Sequence, residues 1–214
     1  MPKVVDHEQR RQKLAETVWH ITANRGLDAV TLRAVASESN VSMGTVQHYF
    51  GTKDQMILFA CQYMIDLANS GASNSLTESQ EPDHPRTVIR TVMHQTLPLD
   101  EAQRIGSSVW LAFVARSAVD ADLATLIRDA WAGLHELIAG QLHVAQAIHQ
   151  VSSEFATDRE AMTLVAVTDG LVSHLLVGHY SADEALAVVE DHLDRIFSPH
   201  SARSGVLGSA AQEH

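Results

Sequence analysis

The sequence predicts an all-α protein of about nine helices, with an N-terminal three-helix domain followed by a larger helical domain. Two observations predict this class. Apolar residues recur at three- and four-residue spacing along almost the whole chain, and no segment alternates as a half-buried strand does. Residues that start and stop helices recur at helix-length intervals. The 45% hydrophobic content is that of a globular protein.

Charge is distributed unevenly along the 214 residues. Residues 1–53 contain seven Lys/Arg against five Asp/Glu, a net charge of +2. Because the net charge of the whole chain is −11, the remaining residues carry a net charge of −13. Such asymmetry is typical of a nucleic-acid-binding end joined to an acidic body. The overall negative charge argues against a protein that coats nucleic acid.

The cysteine count and the N-terminus indicate a reducing compartment. Cys61 is the only cysteine, which excludes an intramolecular disulfide and a cysteine-based zinc site. The first residues lack the apolar core of a signal peptide. The most apolar stretch, 164–177, is interrupted by Asp169 and His174 and is too short to span a bilayer. We therefore expect a cytoplasmic protein with no membrane association.

Four helices are predicted in the first 70 residues. Apolar positions at Leu14, Val18 and Ile21, followed by Gly26, predict helix 1 over about residues 8–25. Helix 2 begins after Thr31, an N-cap residue. Asn40-Val41-Ser42 ends it, and helix 3 covers about residues 43–50. Gly51 ends helix 3, and Thr52 opens helix 4 with Gln55 at capping-box spacing; helix 4 extends to about Asn69.

Helices 2 and 3 have the arrangement of a helix-turn-helix. They are short, and about three residues separate them. Val35, Val41, Val46 and Phe50 hold them against helix 1, while polar Gln47 and the other polar side chains of helix 3 remain outside. This arrangement places one short helix in the major groove of DNA.

The rest of the chain is predicted to be helical after one loop. Residues 70–85 are rich in Ser, Pro and acids, which predicts a mobile loop. Helices follow at about residues 86–97, 100–118, 121–149, 158–178 and 182–197. The tail from 199 is predicted to be disordered. The predicted domains are therefore 1–52, the helix-turn-helix domain, and 53–198, a larger helical domain, followed by the tail 199–214.

Residues 30–57, "VTLRAVASESNVSMGTVQHYFGTKDQMI", resemble the DNA-binding signature of the TetR (tetracycline-repressor-like) family of bacterial transcriptional regulators. The "GT-hydrophobic-x-HYF-x-x-K" portion is especially similar to the betaine-regulator type. Residues 98–126, "PLDEAQRIGSSVWLAFVARSAVDADLATL", also resemble the ligand domain of that subgroup. The resemblance implies a dimer that binds a palindromic DNA operator and responds to a small molecule, most often as a repressor.

The resemblance implies ten DNA-binding residues. Thr31 and Arg33 lie where helix 2 begins and are expected at a phosphate or a neighbouring base, although a cap and a solvated cation explain them equally simply. The others lie on or beside helix 3: Ser42, Met43, Gly44, Thr45, Gln47, His48, Tyr49 and Lys53. Free N–H groups at the start of helix 3 favour phosphate, and Gly44 permits close approach of the backbone. Tyr49 and Lys53 are the expected phosphate contacts.

Gln47 departs from the family pattern, because members often have an aromatic residue at this position. A phosphate contact is then lost. A glutamine can instead form paired hydrogen bonds with the edge of an adenine. Gln47 is therefore the leading candidate for reading the operator sequence.

The last two helices are expected to form the dimer interface. Residues 164–177 are apolar around most of the helix, as in a helix buried on several sides. The resemblance implies a four-helix bundle between two copies. The expected interface residues are Leu164, Val167, Gly170, Leu171, His174, Leu175, Val189 and Leu193. Packing within one chain is the alternative.

A middle region contains two of the three tryptophans and is the candidate effector cavity. The expected lining residues are Met93, Trp110, Phe113, Trp131 and Leu134. Such a set can enclose a quaternary ammonium through cation–π contacts, or a flat apolar effector. Ordinary core packing explains the same aromatic spacing.

The sequence does not favour an enzyme, a metal site or a cofactor. His174 and His179 are five residues apart, and His143 and His149 six, whereas a helical zinc pair has a spacing of four. No serine has an identifiable base, and no glycine-rich phosphate loop is present. The competing hypothesis is a helical ligand-binding or scaffold protein without operator specificity.

Overall fold

The computed structural model describes the backbone of residues 2–198 and the side chains of residues 7–198. Over this range the chain forms nine α-helices and one short 3₁₀ turn, Leu27–Ala29, and it forms no strand. The all-α prediction is confirmed. The helices are α1 Pro2–Arg25, α2 Leu32–Glu38, α3 Met43–Phe50, α4 Lys53–Thr77, α5 Pro85–Thr96, α6 Glu101–Ser117, α7 Ala121–Ala147, α8 Thr157–Leu176 and α9 Ala182–Phe197. The predicted disordered tail, 199–214, lies outside the described residues.

Hydroxyl groups begin α2, α3 and α4 as predicted. Each accepts a hydrogen bond from the backbone N–H three residues later, which satisfies a donor that the first turn leaves free. The pairs are Thr31 with Ala34 at 3.0 Å, Ser42 with Thr45 at 3.0 Å, and Thr52 with Gln55 at 3.2 Å. At Thr52 only this half of the predicted capping box forms.

The turn between α2 and α3 depends on Asn40. Its φ of 53° lies in the left-handed region, which asparagine tolerates better than most residues. The chain then reverses, and the N–H of Val41 donates to the carbonyl of Ala36 at 2.9 Å. Val46 and Phe50 are buried beneath α3, so the opposite side of this helix faces outward. The helix-turn-helix geometry is therefore complete.

Helix α4 is two turns longer than the sequence predicts, and the predicted loop 70–85 is wrong over residues 70–77. The hydroxyls of Ser70 and Thr77 donate to the carbonyls four residues earlier, so these polar residues are accommodated within the helix. Ala72 packs against the apolar core beside α5. A Cβ on Gly71 would lie 3.1 Å from the amide nitrogen of Gln95, so glycine lets α4 approach α5 closely. Only residues 78–84 connect the two helices.

Two apolar cores fill the molecule. The first core joins α1–α4 to α6 and to the beginning of α7, through Val109, Phe113, Leu123 and Ile127. The second core joins α5, the rest of α7, α8 and α9. Helix α7 contributes to both cores, so it connects the DNA-binding end to the end that contains α8 and α9. No helix of the described residues is long and apolar enough to cross a membrane.

The second core contains most of the residues predicted for the dimer interface. Five of the expected residues are 0–6% exposed in a single chain and so pack inside it: Leu164, Leu171, Leu175, Val189 and Leu193. Side chains already enclosed by their own chain cannot cover a partner. Val167 is half-buried, and Gly170 and His174 are exposed. Of the predicted set, these three remain available for association.

Candidate DNA interface and effector site

The outer face of α3 presents most of the predicted DNA-binding residues to solvent. Ser42, Met43, Gly44, Gln47 and His48 are all exposed on this face. They recur at the spacing of one helix face, opposite the buried face of α3. The arrangement therefore presents donors and acceptors on a helix narrow enough for the major groove.

Gly44 has no packing reason to be glycine. A Cβ built there would meet only the hydroxyl of Ser42, at 3.7 Å, which is ordinary contact. Gly44 also lies inside a helix, where alanine is the more favourable residue by about 1 kcal/mol. The protein itself therefore has room for a side chain that the sequence lacks, as expected if another backbone approaches this point closely.

The remaining predicted contacts surround this face. Thr31 and Arg33 are exposed at the start of α2, and the Thr31 hydroxyl already caps that helix. Thr45 is half-buried, and its hydroxyl forms a hydrogen bond of 2.8 Å with that of Ser42. Thr45 is thus less free than the sequence suggests. Tyr49 and Lys53 are half-buried, where α3 ends and α4 begins.

His7 joins this surface although sequence reasoning did not include it. Its ring centroid lies 4.6 Å from that of Tyr49 and 6.4 Å from that of His48. The predicted start of helix 1, at residue 8, excluded it. Because α1 begins at Pro2, His7 extends over the end of α3.

Two of the predicted effector residues lie inside the apolar cores. Met93 and Phe113 are both fully buried, and they belong to different cores. Leu134 packs with the core of Met93, whose sulfur accepts a hydrogen bond from Thr168 at 3.1 Å. These positions are core, which was the alternative interpretation of the aromatic spacing.

Trp110 and Trp131 do meet, and Asp169 joins them. The two indoles are perpendicular, with ring centroids 6.2 Å apart. The carboxylate of Asp169, on α8, accepts a hydrogen bond from Trp131. Burial raises the pKa of Asp169, and this hydrogen bond lowers it in part. In the sequence, Asp169 is visible as a carboxylate that interrupts an apolar helix. Its contact with Trp131 was not predictable from the sequence.

A further cavity lies elsewhere in the described part of the chain. It is an open cleft of about 760 Å³ between α7 and the DNA-binding helices. Its sides include Tyr49 at the end of α3, Phe59 on α4 and Leu126 on α7. The guanidinium of Arg11 lies 3.9 Å from the centroid of the Phe59 ring, within the range of a cation–π contact. The cleft therefore separates α7 from the end of the recognition helix.

Comparisons with known proteins agree with this geometry over nearly the whole chain. The model of the tetR family of bacterial regulatory proteins matches residues 19–59. The model of the C-terminal domain of BetI-type transcriptional repressors matches residues 85–198. These two ranges are the helix-turn-helix with its supports, and helices α5–α9.

Relatives match over similar lengths. The HTH-type transcriptional regulator PksA of Bacillus subtilis is 28% identical over 202 residues, covering 94% of this chain and 92% of the relative. The HTH-type transcriptional regulator BetI of Burkholderia thailandensis is 28% identical over 208 residues, covering 94% of this chain and all of the relative.

Solved structures give the same result. A transcriptional regulator from Rhodococcus sp. RHA1 is 26% identical, with a TM-score of 0.76, over 87% of this chain and 95% of its own. A regulator from Saccharomonospora viridis, solved in complex with choline, is 25% identical, with a TM-score of 0.78, over 87% of this chain and 96% of its own. The chain belongs to the TetR family of bacterial transcriptional regulators, and its C-terminal domain is of the BetI type.

Proposed function

We propose that this regulator represses transcription by binding a palindromic operator as a homodimer, and that a small organic cation releases it. The outer face of α3 carries the DNA-binding part of the proposal. Its exposed polar side chains lie around a glycine that internal packing does not require. A single recognition helix of eight residues spans few base pairs, so two copies on a two-fold site supply the affinity.

The surface proposed for dimerisation is the exposed face of α8 with the adjoining face of α9. It combines small and apolar side chains at helical spacing, which allow two helices to approach closely. Met162, at 65% exposed, and Val177, at 79%, would otherwise remain in water. The other members are Ala166, Gly170 and Ser173 on α8 and Ala187 and Val188 on α9. This surface replaces the buried residues of the sequence prediction.

The effector site is proposed at Trp110, Trp131 and Asp169. Indole faces attract cations through their quadrupole, and a partly buried carboxylate adds a full negative charge. The related regulator from Saccharomonospora viridis holds choline, a quaternary ammonium. Choline is therefore the probe of choice, because the three side chains suit a quaternary ammonium.

The first test is operator binding. We expect the full-length protein to shift its own upstream promoter region in a gel, and choline to reverse the shift. Asp169→Asn should still shift the promoter DNA, but reversing the shift should need at least about tenfold more choline than for the parent. Glu136→Gln, at an exposed carboxylate on α7 outside the cleft, is the matched control and should respond as the parent does. An unaltered choline response in Asp169→Asn would remove this residue from the effector site.

Asp169 also predicts a dependence of stability on pH. Its raised pKa means that the folded protein favours the protonated carboxyl more than the unfolded chain does. The stability that this group contributes is therefore present in acid, below the unfolded pKa, and is lost as the pH rises through the folded pKa. We expect Asp169→Asn to melt at a higher temperature than the parent at neutral pH, and the difference to shrink on acidification. Thermal melts across this pH range measure it.

A further inference from the structure

Three aromatic rings meet where α8 ends: His174, His179 and Tyr180. A spacing of five residues would separate the two histidines on a continuous helix. The helix instead stops at Leu176, and Gly178 has a φ of 72°, in the left-handed region. The N–H of His179 then donates to the carbonyl of His174 at 2.9 Å. This turn brings the two imidazole centroids to 5.1 Å apart.

That separation suits two imidazoles bound to one metal ion. Zinc–nitrogen bonds of about 2.0–2.1 Å in tetrahedral geometry place the centres of two imidazole rings roughly 5 Å apart. Both histidines are exposed, so an ion can reach them from solvent. Among the described residues, neither ring forms a hydrogen bond or an ion pair that would occupy its nitrogens.

The surroundings favour a cation at this point. The guanidinium of Arg104 already contacts the last carbonyls of α8, those of Leu175 and Leu176, so the negative charge at this point comes from a side chain instead. The carboxylate of Glu184, in the first turn of α9, is close enough to His179 for an electrostatic interaction. Tyr180 packs against both imidazoles, with centroids 4.9 Å from His174 and 4.5 Å from His179, which limits the motion of the rings.

We propose that His174 and His179 chelate one divalent transition-metal ion of the type that imidazole prefers, Zn²⁺ or Cu²⁺, with water completing its coordination. No acidic or thiol ligand completes a group of three within the described residues, so the site is a two-ligand one. It lies at the turn between α8 and α9, at the end of the proposed dimer surface and not on the recognition helix. The proposal goes beyond transcriptional repression and does not depend on the effector.

Calorimetric titration of the full-length protein, without a polyhistidine tag, tests the site. With ZnCl₂ in a buffer that does not bind metal, we expect about one tight ion per chain. His174→Ala and His179→Ala should each weaken that binding by at least about tenfold, because each removes a ligand. The double variant should lose little more than either single variant, since one remaining imidazole is no chelate.

A control and a second measurement separate metal binding from simple ring packing. His20→Ala removes another exposed histidine, one that lies 3.6 Å from the carboxylate of Glu38, and should bind zinc as the parent does. Zinc should raise the melting temperature of the parent and of His20→Ala, but not that of the double variant. Unchanged zinc binding in both single variants, loss in only one of them, or equal loss in His20→Ala would overturn the proposal.

Discussion

At the scale of single residues, two glycines of the recognition region have different roles. Gly51, which ends α3, has a φ of 71°, and a Cβ there would lie 2.8 Å from the side-chain oxygen of Gln55. The fold itself requires that glycine. Gly44, by contrast, has ordinary helical geometry and room for a side chain.

Gly44→Ala should therefore leave the fold intact and impair DNA binding. We expect the free energy of unfolding to stay the same or to rise by up to about 1 kcal/mol, because alanine is the better helix former. Operator affinity should fall at least about tenfold, as the new methyl group keeps DNA away. Denaturant unfolding and fluorescence anisotropy measure the two effects. Gly51→Ala is the control and should lower stability; undiminished operator binding by Gly44→Ala would contradict the proposed approach.

Gln47 and Lys53 should respond differently to substitution. Gln47→Ala should cost roughly 1–3 kcal/mol at one base position in each half-site and relax the preference there. Lys53→Ala should weaken binding to operator and to random DNA alike, and lower the salt dependence by about one charge per chain. Binding titrations at several salt concentrations, on operator variants, measure both. A uniform loss across sequences for Gln47→Ala would make it a backbone contact.

Helix boundaries show how far the sequence predicts the structure at the scale of elements. Helices α2 and α3 were predictable because each begins at a hydroxyl N-cap and their apolar residues face one side. The end of α4 was not, because Ser70 and Thr77 satisfy their hydroxyls inside the helix and Gly71 lies close to the Gln95 side chain of α5. Composition indicates a loop there, and the tertiary packing that overrides it is invisible in a single sequence.

The side chains of the candidate sites likewise include some whose exposure was predictable from the sequence and some whose surroundings were not. Exposure on α3 followed from the helical period, so Gln47 and His48 were predictable as outward-facing. Whether an apolar residue of α8 faces its own chain or a partner depends on which neighbours cover it. Periodicity alone does not contain that information, so the burial of Leu171 within its own chain was not predictable.

Arg104 stabilises the end of α8 from a different helix. Its guanidinium, on α6, donates to the carbonyls of Leu175 at 3.2 Å and Leu176 at 3.3 Å, in the last turn of the helix. The Leu175 carbonyl also accepts from the N–H of Gly178 at 3.1 Å. Arg104→Met should lower the free energy of unfolding by about 1–2 kcal/mol while keeping most of the apolar stem. Chemical denaturation measures the loss. Glu101→Gln removes only the exposed partner of Arg104, 3.9 Å away, and should change stability by less than about 0.5 kcal/mol.

At the scale of the whole molecule, association should depend on the exposed face of α8. A Cβ on Gly170 meets nothing within 4 Å, so a large side chain there fits the single chain without strain. Gly170→Arg should therefore give a folded, soluble protein that dimerises poorly and binds its operator weakly. Sedimentation velocity and circular dichroism measure assembly and folding. Gly106→Arg, at another glycine with open space on α6, is the control. An unaltered dimer in Gly170→Arg would place the interface elsewhere.

The cleft between α7 and the DNA-binding helices is open to solvent, so its closure would release water. A space of about 760 Å³ holds on the order of two dozen water molecules. If one regulatory state closes the cleft, that water returns to bulk, and the change of state carries an osmotic work term. Sucrose, which is excluded from protein surfaces, should then shift operator affinity in proportion to osmotic pressure. Thr125→Trp, which fills the cleft from α7, should reduce that slope, whereas parallel slopes for the two proteins would show that the cleft stays open throughout.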